Sequence, residues 1–161
     1  MKAIFKILFL LGAFLLLMFQ KSFLPHFDFQ NSTLNLLLVF LFFIAFFEEQ
    51  NSEKGIIAAL VWGIGMDIFS GYFFGIFTIL LITTFTLIKL LKNFLETSRA
   101  FSFLILYTGA LAYYYLIYSF ITSYSRGLYF NLPGFLYSFL FGILLYLLKI
   151  LIYVPVCKKF K

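Results

Sequence analysis

Gly63-Ile64-Gly65-Met66-Asp67-Ile68-Phe69-Ser70-Gly71-Tyr72-Phe73-Phe74-Gly75 decides how this chain is read. It is an apolar run with one carboxylate inside it and a turn directly after it. Ser70, Gly71 and Tyr72 mark the reversal. A carboxylate in such a run is costly enough to require a partner, a proton or a water-filled cavity. The nature of the run therefore depends on what surrounds it.

The surroundings are those of a membrane protein. Of 161 residues 64% are hydrophobic and 11% charged, against about half and about a quarter in an ordinary soluble domain. A helix crosses the hydrocarbon core with about 20 residues, so the chain holds one domain of six spans and little else. The spans are expected at 3–19, 33–47, 55–69, 73–91, 101–121 and 132–154. The first follows Lys2 and is read as uncleaved, because Leu15, Leu16, Leu17, Met18 and Phe19 offer no small-residue cleavage site. Asn31, Ser32 or Thr33 is expected to cap the second helix, and Pro155 to end the sixth.

The net charge of +6 belongs to topology. Ten of the 12 Lys and Arg residues, from Lys2 and Lys6 to Lys158, Lys159 and Lys161, fall on one side of this arrangement, and Lys21 and Arg126 on the other. Cytoplasmic loops retain positive charge, so both termini are expected in the cytoplasm, with no nucleic-acid role for the lysines. The basic tail should favour anionic lipid. Cys157 is the single cysteine, which excludes an intrachain disulfide and a cysteine-clustered metal site.

Twelve residues separate Gly55 from Asp67, about 18 Å of helix, past the midpoint of a core about 30 Å thick. The turn follows a few ångströms later. A reversal at that depth must be buried in protein or line an aqueous pocket, and that pocket would open outward. Gly55, Ala59, Gly63 and Asp67 share a broad helical face, and Gly71 with Gly75 forms a small-x-x-x-small pair. Small residues let membrane helices approach closely. The functional hairpin is thus Gly63, Asp67, Ser70, Gly71 and Gly75. Three readings of Asp67 stand open: a hydrogen bond to Ser70 or to backbone at the turn, a contact to a substrate or ion, and a contact to a partner protein.

Gly63-x-Gly65-x-Asp67-Ile68-Phe69-Ser70-Gly71-x-x-x-Gly75, opening a hairpin in the middle of a six-helix chain of this length, resembles the MreD family of rod shape-determining proteins. The short N-terminal helix and the closing helix entered through Leu132-Pro133 extend the resemblance to the whole architecture. It implies a non-enzymatic inner-membrane scaffold of the bacterial elongation machinery, paired with the bitopic protein MreC and serving the peptidoglycan synthase complex of lateral wall growth. It also implies a fold similar to the substrate-binding subunits of energy-coupling-factor vitamin transporters. Asp67 then lies in the family's cavity-facing hairpin.

Other residues carry less. His26 beside Asp28 is read as a solvated loop residue. Tyr107, Tyr114 and Tyr118 recur at roughly helical spacing, and either line the pocket beside Asp67 or serve as packing and interface aromatics. Glu48 and Glu49 are read as a solvated pair. No serine-histidine-acid order, phosphate-binding glycine loop or HExxH occurs, so neither catalysis nor a cofactor is expected. The rival function is a vitamin-binding transporter subunit, with the outward pocket holding a small ligand.

Overall fold

The computed structural model describes residues 11–24, 34–49, 52–70, 73–94, 99–126 and 131–158. They form six helices and, among the described residues, no strand. The helices are α1 Leu11–Phe23, α2 Leu36–Phe47, α3 Lys54–Ser70, α4 Ile76–Phe94, α5 Arg99–Arg126 and α6 Leu132–Lys158. Within α1, Phe19–Phe23 are wound as a π-turn. Two stretches are long and apolar enough to cross a membrane, Ala100–Ile121 and Leu132–Leu151, while Leu11–Phe23 and Leu36–Phe47 are shorter apolar helices.

Several boundaries depart from the sequence reading, each for a local reason. α4 starts at Ile76 because Gly75 takes φ +100° and closes the turn there, a conformation open to glycine at no steric cost. α6 continues through Pro155 to Lys158, since a proline removes one backbone donor without obliging the helix to stop. Asn31, Ser32 and Thr33 lie outside the described residues. Asn35 caps α2 instead, its Oδ1 accepting the Leu38 N–H at 3.1 Å.

α2 is apolar on every side, as suits a helix buried along most of its length, with Phe47 exposed at its end. Leu37, Leu38, Val39, Leu41, Phe42 and Ala45 are all buried, and α2 packs against α3, α4, α5 and α6. α1 seats on α3, where the Trp62 indole N–H donates to the Ala13 carbonyl at 2.8 Å. Leu17 of α1 fills the space a Cβ on Gly65 would take. α3 and α4 run antiparallel and pack closely: a Cβ on Gly63 would strike the Thr78 backbone.

α3 has 17 residues and α5 has 28, so their lengths are about 26 and 42 Å at 1.5 Å per residue. Phe77, in the first turn of α4, meets Tyr118 with ring centroids 5.9 Å apart, and α5 runs on from Tyr118 to Arg126, about 12 Å further, so the α3–α4 turn is recessed below the C-terminal end of α5. This difference in length shapes the site.

Candidate functional site

Asp67 lies one turn from the C-terminal end of α3 and is 4% exposed. Its carboxylate reaches across the hairpin. Oδ1 accepts the Phe77 N–H at 2.8 Å, and Oδ2 accepts both the Thr78 N–H at 3.1 Å and the Thr78 hydroxyl at 2.6 Å. Phe77 and Thr78 are the second and third residues of α4, whose N–H groups have no partner within the helix. Gly75, next to the first turn of α4, has no side chain with which to cap it, so the acceptor comes from the neighbouring helix. A negative group there also meets the positive end of the helix dipole. Ser70 is bonded elsewhere, its hydroxyl donating to the Asp67 backbone carbonyl at 3.2 Å. Gly71 lies outside the described residues.

Beside this cap is a cavity of about 280 Å³. It opens at the recessed end of the bundle, where α1, α3 and α5 finish and α2, α4 and α6 begin. Met66, Phe69 and Phe77 form its apolar lining; Gln20, Lys21, Asn35 and Asn131 are polar members of its wall. Asp67 is one residue from Met66 but is not itself part of the wall. Its three donors hold it against α4.

Of the three tyrosines expected together, Tyr114 and Tyr118 line the cavity and Tyr107 does not. Seven residues separate Tyr107 from Tyr114, about 10 Å along the helix axis. They share a face at different depths. The Tyr107 hydroxyl donates to the Ser138 carbonyl of α6, and its ring stacks on Phe103 and Phe139. Tyr107 is a packing residue. Tyr115, passed over in the sequence, joins Tyr114 and Tyr118 in the wall and shares a 3.1 Å hydrogen bond with the Ser138 hydroxyl.

A polar network supports this wall. Gln20, on the same buried face of α1 as Ala13 and Leu17, accepts the Leu37 N–H at 2.8 Å and donates to Asn35 Oδ1 at 3.2 Å. The Asn35 N–H donates to the Ser138 hydroxyl at 3.1 Å. Four helices are joined by one set of hydrogen bonds. Asn35 and Ser138 had no signal in the sequence beyond being polar residues flanked by apolar ones, and Gln20, beside Lys21, read as the end of the first apolar run.

The opposite end corrects the reading of Glu48. Its side chain is 6% exposed and pairs with Lys89 at 3.5 Å, and its carboxylate accepts the Gly55 N–H at 3.1 Å at the start of α3. Lys89 donates to the Ser52 carbonyl at 2.7 Å and Lys92 to the Glu48 carbonyl at 2.9 Å. Lys149 lies over the Phe47 ring at the same end. Glu48 is therefore not a solvated residue: it caps α3 as Asp67 caps α4. His26 and Asp28 lie outside the described residues.

Both Asp67 oxygens are engaged in holding the hairpin, so this side chain is arranged as a structural cap and not as a base aimed at a substrate. In comparisons with known proteins, the family model for the rod shape-determining protein MreD matches residues 1–155. No curated protein matches the chain, and no solved structure does.

Proposed function

The chain belongs to the MreD family of rod shape-determining proteins, and from that premise we propose that it is a non-enzymatic scaffold of the bacterial elongation machinery. It sits in the inner membrane with six spans and both termini in the cytoplasm, pairs with an MreC-type bitopic protein, and supports the lateral peptidoglycan synthase complex. The family match over nearly the whole chain carries this reading. That reading is supported by a helical body whose buried carboxylates, Asp67 and Glu48, are both taken up by its own fold.

The exposed flanks suit a single-span partner. On α6, Leu136, Leu140, Leu144, Leu147 and Leu151 are all exposed and recur at the three- and four-residue spacing of one helical stripe. The position of Lys54, Lys89, Lys92 and Lys149 at the end opposite the cavity supports a cytoplasmic placement of that end. The likeness to energy-coupling-factor substrate subunits belongs to the same proposal.

Co-purification tests it. The tagged chain, extracted in mild detergent, should retain an MreC-type protein, and its depletion should turn rod-shaped cells round. The absence of both retention and a change of shape would remove the scaffold reading. The rival, a vitamin-binding subunit, needs a cavity for a drug-sized ligand, and such sites run about 300–1,000 Å³. The cavity here, at about 280 Å³, sits at the bottom of that range, so binding of added vitamin by the purified chain separates the two readings.

A further inference from the structure

Lys21 lines the outward cavity, and no described residue supplies it with a carboxylate. The chain has six acidic residues. Glu48 is engaged with Gly55 and Lys89 at the far end of the bundle, and Glu49 and Glu53 flank the α2–α3 connection there. Asp67 is filled by Phe77 and Thr78. Asp28 and Glu96 lie outside the described residues. Among the described residues, this lysine in the cavity wall thus has amides and phenols around it and no anion, although an ionisable group in such a place normally has a counter-charge.

The polar wall is rich in donors. Asn131 Oδ1 is committed to the Gly134 N–H at 2.9 Å, where it caps α6. Its NH₂ end is left as the part of the side chain with bonding capacity to offer. Asn131, at the cap of α6, and Lys21, in the last turn of α1, line one cavity of about 280 Å³. That volume suits a headgroup-sized ligand and not a cofactor. Close by, Phe73 and Phe74 at the hairpin turn are 83% and 72% exposed, which places apolar surface next to a cationic hollow.

We propose that this cavity is a binding site for one phosphate ester, held by the Lys21 ammonium and the Asn131 amide. The phosphate can arrive as the headgroup of an anionic phospholipid, with its acyl chains on the exposed phenylalanines, or as a free soluble phosphate. This site goes beyond the scaffold reading and does not depend on it.

The test uses the full-length protein in phosphatidylcholine nanodiscs. In one arm phosphatidylglycerol is titrated in and the lipid retained by the protein is counted by native mass spectrometry. In the other, inorganic phosphate or glycerol 3-phosphate is added and the shift in melting temperature is read. Wild type should retain phosphatidylglycerol over phosphatidylcholine by about fivefold, the effect of one well-placed charge. Lys21→Gln and Asn131→Ala should bring the ratio toward one, and Lys21→Arg should preserve it. Lys92→Gln, at the other end of the bundle, should leave it unchanged. A melting shift with soluble phosphate that Lys21→Gln abolishes, without lipid preference, assigns the site to the free anion. Equal retention and equal melting shifts in wild type and Lys21→Gln, with Lys21→Arg confirming a folded protein, would overturn the proposal. Partner pull-down by Lys21→Gln is scored separately, so the scaffold reading stands or falls on its own result.

Discussion

Asp67 Oδ2 stands 2.6 Å from the Thr78 hydroxyl and 3.1 Å from the Thr78 amide nitrogen, so a side chain of one helix performs the capping of the next. Gly75 explains the arrangement. Its φ of +100° makes the tight turn possible, but a glycine cannot also supply the acceptor that the first turn of α4 needs. Turn and cap are divided between two residues, and Asp67 reaches the first turn of α4 only because α3 and α4 pack closely.

Asp67→Ala should destabilise the protein by about 2–4 kcal/mol, combining loss of a cap with buried N–H groups left unpaired. Asp67→Asn retains an acceptor and should cost about half as much. Thermal melting in detergent checks both. A wild-type melting temperature for Asp67→Ala, with partner pull-down lost, would instead make Asp67 a partner contact.

Gly63→Ala should cost about 1–3 kcal/mol, because the added methyl meets the Thr78 backbone and one helix must move. Gly109→Ala is the control: a Cβ there meets nothing within 4 Å, and the variant should melt at or slightly above the wild-type temperature, because alanine favours helix over glycine. Gly63→Leu should yield little folded protein by size-exclusion chromatography.

Gly75→Leu should fail for a different reason. Open space surrounds a Cβ at this position, so the cost is backbone strain, about 1–3 kcal/mol. Gly75→Asn, which tolerates left-handed backbone better, should recover much of the folded yield. Equal yields for Leu and Asn would show that the backbone conformation does not matter.

Glu48→Gln and Lys89→Gln should be non-additive. The two side chains are 3.5 Å apart and little exposed, and a coupling of about 0.5–3 kcal/mol is expected for neighbours that share a network. A double-mutant cycle on melting free energies measures it, and strict additivity would mean that the pair does not interact.

Cys157 is the single thiol and reports orientation. In intact cells a membrane-impermeant maleimide should leave it unlabelled, whereas inverted vesicles should label it. Labelling in intact cells would place the C-terminus outside and reverse the proposed topology.

The sequence made Asp67 visible because a lone carboxylate in an apolar run is conspicuous on its own. Its partners were hidden, since two of the three donors are backbone amides, which carry no sequence signal. Glu48 shows the opposite failure. Next to Glu49 and Asn51 it looks like one of several loop residues, and only the fold brings Gly55 and Lys89 around it. Tyr107 illustrates a third limit. Helical spacing correctly sets it on the face of Tyr114, but a face says nothing of depth, and depth excludes it from the cavity. The six helices were legible from apolar runs and their breaks, whereas the ends of α4 and α6 depended on a glycine dihedral angle and on a proline that the helix accommodates.

Both carboxylate caps act over short stretches of chain: Glu48 reaches seven residues ahead to Gly55, and Asp67 ten ahead to Phe77. Everything needed to close the α3–α4 pair is therefore synthesised before α5 leaves the ribosome. Such local closure is fast compared with pairing across long separations. The later helices then meet a finished surface during translation, so damage to either cap should fall first on the order of assembly.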